Sequence, residues 1–128
     1  MAIRVVRLGT PRGENEGLRI GTVRRPPRGV PKGEYAERDL YDVWLPNLAP
    51  SEELLKAGKA ADSDRSWRAF ARCYRSEMKR PENARVLDLL AAMSRQANFS
   101  VGCYCENEMR CHRSLLRELL RDRGAELA

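Results

Sequence analysis

The sequence predicts a small α/β domain, a few-stranded sheet with helices packed on it. Three observations predict it: two early segments alternate apolar and polar residues, the middle of the chain repeats apolar residues at helical spacing, and a short apolar segment near the end runs into a further helical pattern. At 128 residues the chain is long enough for one hydrophobic core and too short for two, so residues 1–128 are read as a single domain. A composition of 42% hydrophobic and 33% charged residues excludes disordered and collagen-like chains.

Taken in order, "IRVVRL" (Ile3 to Leu8) alternates as a strand, and "GTPRGENEG" follows as a turn-rich loop. "LRIGTV" (Leu18 to Val23) alternates again. "RRPPRGVPKGEY" cannot extend that strand, because its prolines remove backbone donors and fix φ. Ser51 is a suitable N-cap for a short helix with Glu52 and Glu53 in its first turn and Gly58 as its stop. From Asp64, the residues Trp67, Phe70, Ala71, Tyr74 and Met78 form one apolar stripe of a helix that Pro81 closes. Val86, Leu87, Leu90 and Met93 mark the next helix. "NFSVGCYC" (Asn98 to Cys105) is short and apolar and fits a buried strand. Leu115, Leu116, Leu119 and Leu120 then define a last helix ending at Gly124, with Arg121 and Arg123 in its final turn.

Lys and Arg number 24 against 18 Asp and Glu, a net charge of +6 carried mostly by Arg. The guanidinium fork suits phosphate and carboxylate, so the expected partners are a small anion, a nucleotide or a nucleic acid. The low aromatic content, 6%, argues against a base-stacking platform for single strands. No apolar run approaches the roughly 18 residues of a membrane helix, and the start lacks a signal-peptide pattern; the sequence therefore predicts a cytoplasmic protein without a membrane partner. In that compartment four cysteines read as thiols, ligands or catalytic groups rather than as disulfides.

The chemistry concentrates in "VGCYCENEMRCHRSLL", where a strand end meets a helix start. Free amides and the positive end of a helix dipole attract anions there. An anion site asks least of the geometry and ranks first: Arg110, His112 and Arg113 from this segment, Arg24 and Arg28 from the proline-rich loop, and Glu106 orienting an Arg or a ligand hydroxyl. Buried small thiols with a helix-capping histidine rank next. Cysteine catalysis by Cys105 or Cys111 follows; the C-x5-R phosphatase pattern fails, because Cys111 stands where Arg should and Arg110 falls one place early. Zinc on Cys103, Cys105, Cys111 and His112 ranks last. The spacing C-x-C-x5-C-H lacks paired knuckles, and adjacent helical residues point about 100° apart. On this ranking no metal and no cofactor is assigned.

Four stretches, "RRPPRG", "YDVWLPNLAPS", "WRAFARCYRSEM" and "CYCENEMRCHRSLL", run in an order similar to that of the YeaO-like proteins, the family of domain of unknown function 488. The resemblance implies a compact α/β domain with the arginine-rich loop near the Cys-His-Arg segment, and it implies no reaction. By position, Arg24, Pro27, Arg28 and Gly29 resemble the family's loop, Cys105 and Glu106 its strand-end pair, and Cys111, His112 and Arg113 its helix-start triplet. Val23 and Pro26 depart from it, standing where many members carry an acidic residue and Trp.

Overall fold

The computed structural model describes residues 2–59 and 62–128. At its centre lies an all-parallel four-stranded sheet: β1 (Ile3–Arg7), β2 (Leu18–Gly21), β3 (Val43–Trp44) and β4 (Phe99–Cys103), in the order β1-β4-β2-β3. Four helices accompany it: α1 (Glu52–Lys59), α2 (Asp64–Met78), α3 (Pro81–Met93) and α4 (His112–Asp122). β4 is flanked on both sides, and all five of its residues are buried, which is why it reads as an unbroken apolar run. Its register pairs Ile3 and Leu18 with Phe99, and Val5 and Ile20 with Val101.

Alternation along the strands sends Ile3, Ile20, Phe99 and Val101 to one face, where they meet Phe70, Tyr74, Leu87, Leu115, Leu116 and Leu120 from the helices. The α2 stripe buries Phe70, Ala71, Tyr74 and Met78 as its spacing requires, and half-buried Trp67 stacks on Phe70 with ring centroids 5.1 Å apart. The alternate residues Arg19 and Ser100 are also buried. Arg19 forks onto Glu16 at 2.8 and 2.9 Å and donates to the carbonyls of Thr10 and Asp39, while the Ser100 hydroxyl donates to Glu16 at 2.7 Å. The Arg19 guanidinium, opposed by burial and helped by the Gly13 amide and Ser100, holds the Glu16 carboxyl down at about 2.

Both early strands and β4 stop sooner than the sequence suggests, at Arg7, Gly21 and Cys103, and the two-residue edge strand β3 was not expected. Gly58 is not a helix stop: α1 runs through it to Lys59. A Cβ there would lie 2.6 Å from the Phe70 ring, so this glycine lets α1 and α2 approach closely. Met93 is exposed rather than part of the buried α3 stripe, and Pro81 opens α3 at its first turn. Gly124, with φ of +79°, ends α4 as expected.

Candidate functional site

In a parallel sheet the carboxyl ends of the strands all open on one edge, the usual place for a ligand. Here the edge carries a cavity of about 490 Å³. Cys103, Tyr104 and Cys105 reach it from the end of β4, Val23 to Arg28 from the chain after β2, Pro50 and Leu55 from around α1, and His112 from the start of α4. The proline-rich loop therefore stands near the Cys-His-Arg segment, as the resemblance implies. Beneath it Tyr41 is buried and meets the Tyr35 ring edge-on at 5.2 Å.

Cys103 is the last residue of β4 and Cys111 the N-cap of α4, and both are buried. Their sulfurs lie 2.8 Å apart. His112, the first residue of α4, places Nε2 2.8 Å from the Thr22 carbonyl oxygen. A carbonyl accepts only, so Nε2 carries the hydrogen and Nδ1 presents its lone pair, 3.7 Å from Cys111 Sγ. The ligand atoms of Cys103, Cys111 and His112 all fall within 4.8 Å of one another, and the Tyr74 ring packs 5.6 Å from the imidazole. Cys105, beyond the strand, is exposed.

Burial pushes the His112 imidazole down to about 4, outweighing the Thr22 carbonyl and the charge of Cys105, so the ring is neutral at neutral pH. The three thiols interact as a group. Cys105 is lowered by the neighbouring Cys103 and Cys111 thiols, with help from the Arg113 charge. Cys103 is raised by Cys105, by Cys111 and by burial. Cys111 is pulled down by Cys103, but Cys105 and burial outweigh this and raise it.

The arginines do not gather as the anion reading expects. Arg24 lines the cavity but donates to the Pro50 and Ala49 carbonyls at 2.9 and 3.0 Å. Arg113 is buried, 4% exposed, and donates to the Cys105 carbonyl, tying the β4–α4 connection to the helix start; its Nε has no partner among the described residues. Arg110 pairs with Asp64 and lies over the Trp67 ring, outside the cavity lining. Glu106 is exposed, 3.5 Å from the Arg7 guanidinium, and also outside the lining. Of the four arginines, Arg28 alone lines the cavity with no ion pair or hydrogen bond among the described residues.

Cys103, which the sequence singles out only under the zinc reading, is central to the cluster; its buried place on β4 is the signal that marks it. The Thr22 carbonyl carries no signal in the sequence at all. Cys73, on α2, is exposed and outside the cavity lining.

No helix among the described residues is long and apolar enough to cross a membrane. Compared with known proteins, the chain matches no curated protein and no solved structure. A family model described as the active DUF488-N3 subclade matches residues 3–124, nearly the whole chain, and the protein therefore belongs to the family of domain of unknown function 488.

Proposed function

We propose that the protein takes a small organic anion with an apolar body into the cavity at the carboxyl edge of the sheet, and acts on it at the end where Cys105 and His112 stand. One observation carries this reading: Arg28, whose guanidinium has no partner among the described residues, and the exposed Cys105 line the same cavity. Its other walls are mostly apolar, with Val23, Pro26, Pro27, Pro50 and Leu55. A volume near 490 Å³ suits a small molecule. Apolar walls favour an apolar body, and one free guanidinium pairs with one carboxylate or phosphate. A polyphosphate or a nucleic-acid backbone needs several free cations, whereas Arg24 and Arg113 are turned onto carbonyls and Arg110 onto Asp64. The description of the matching subclade as active favours an enzyme. Nucleophilic chemistry at Cys105 is a second reading, favoured by its being the exposed thiol of the cluster.

Thermal unfolding of the reduced protein tests this against phenyl phosphate, benzoate and inorganic phosphate, each at low and moderate salt. A saturable rise in Tm is expected with the first two, larger than with inorganic phosphate, lost in Arg28→Ala and kept in Arg110→Ala. Equal shifts in wild type and Arg28→Ala would remove Arg28 from the site. No shift from any of the three would overturn the reading.

A further inference from the structure

We propose that Cys103, Cys111 and His112 hold one soft divalent cation, zinc by the chemistry of the donors, beside the cavity that Cys103, Cys105 and His112 line. The proposal goes beyond the ligand-binding reading and does not depend on it.

The two sequence-level objections to a metal are removed by the fold. The divergence of about 100° between neighbouring side chains applies to two helical residues. Cys111 is not helical: as the N-cap it has φ of −127° and ψ of 151°, and α4 begins at His112. This extended backbone brings Cys111 Sγ and His112 Nδ1 to 3.7 Å. Paired knuckles are one way of converging thiolates, and here a central strand and a helix cap do the same, with Cys103 at the end of β4.

The distances and the tautomer fit a metal. With Zn–S near 2.3 Å and Zn–N near 2.05 Å, a tetrahedral site sets its sulfur and nitrogen ligands ~3.6 Å apart and its two sulfurs ~3.8 Å apart. The sulfur–nitrogen separation already matches, and the two sulfurs, at 2.8 Å, need to open by about 1 Å onto the ion. A metal-bound histidine usually donates its other ring N–H to a carbonyl or carboxylate, which fixes the ring. The Thr22 carbonyl does so here at 2.8 Å, and Tyr74 packs against the imidazole.

Charge and donor type name the cation. Two thiolates neutralise a dication, so the loaded site carries no net charge into a place where all three side chains are buried. No carboxylate joins the three donors among the described residues, which disfavours calcium and magnesium; thiolate with imidazole suits zinc. Binding breaks two S–H bonds, releases both protons to solvent and forms two Zn–S bonds and one Zn–N bond.

Protein produced in zinc-supplemented medium and kept reduced is expected to retain one equivalent of zinc per chain. After removal by chelator, cobalt(II) is expected to restore a thiolate-to-metal charge-transfer band that saturates at one equivalent. A thiol reagent should then find Cys103 and Cys111 protected while metal is bound. Cys103→Ser and His112→Ala are expected to lose the equivalent, and Cys73→Ser and Cys105→Ser to keep it. The wild-type measurements decide even if a variant does not fold. No retained zinc together with no saturable cobalt band in the wild type would overturn the proposal, as would a band that survives in both His112→Ala and Cys103→Ser. Neither readout uses the organic anion, so failure here and failure of ligand binding are told apart.

Discussion

His112 donates its Nε2 hydrogen to the carbonyl oxygen of Thr22, 2.8 Å away across 90 residues of sequence, and this one bond decides what the other ring nitrogen can do. It binds the start of α4 to the chain just past β2 and leaves Nδ1 as the acceptor facing the buried thiols. Long-range nitrogen–proton correlation spectra of the metal-free protein at neutral pH are expected to show a neutral ring with the hydrogen on Nε2. A hydrogen on Nδ1 would contradict the assignment.

The buried pair Glu16–Arg19 gives the fold an acid-sensitive element remote from the cluster. The Glu16 carboxyl is held at about 2, below its ordinary value of 4.5, so its contribution is complete above about 4.5 and is lost as pH falls toward 2. The sign is that of a depressed acid: the unfolded chain takes up the proton first and is thereby favoured. A shift of this size corresponds to about 3 kcal/mol. Urea midpoints measured between pH 6 and pH 2 should fall more steeply for the wild type than for Glu16→Gln. Arg19→Ala, which leaves a buried carboxylate without its counter-charge, should cost about 3–5 kcal/mol at pH 7. Parallel pH curves for wild type and Glu16→Gln would show that the pair does not titrate as described.

Gly58→Ala tests the contact of α1 with α2. In an exposed helix this exchange stabilises by up to about 1 kcal/mol. Here the new methyl would stand 2.6 Å from the Phe70 ring, so a net loss of about 1–3 kcal/mol is expected from denaturant unfolding. Equal or higher stability would mean that the ring yields freely.

Arg24 and Arg28 belong to the same loop and are expected to separate cleanly. Arg24→Ala strands the Pro50 and Ala49 carbonyls and should lower stability by about 1–3 kcal/mol. Arg28→Ala removes an exposed side chain without a partner among the described residues and should change stability by less than about 0.5 kcal/mol. The reverse ranking in thermal melts without ligand would contradict the placement of both.

Much of the architecture was legible because local pattern and burial agree. The α2 stripe from Trp67 to Met78, the apolar run of β4 and Gly124 past the end of α4 each obey a rule that packing does not overrule. Gly58 misled because a glycine near a helix end reads as a stop, and only the position of Phe70 reveals a close approach. β3 is two residues at the sheet edge, too short to show a period. At the site, the sequence brought the right segments together but could not assign partners. Which guanidinium meets a backbone carbonyl, as Arg24 and Arg113 do, depends on tertiary position. The pairing of Cys111 with His112 turned on a single residue: whether Cys111 stands inside the helix or caps it.

The proposed function has the ligand enter the cavity under the proline-rich loop. Its most direct test is a titration of the nitrogen-15-labelled protein with phenyl phosphate, followed by amide spectra. Shifts that saturate together and centre on Val23 to Arg25, Arg28, Tyr104, Cys105 and His112 are the expected result. Shifts confined to Arg65, Arg68 and Arg72, the exposed arginines of α2, or no saturable shift at all, would contradict it.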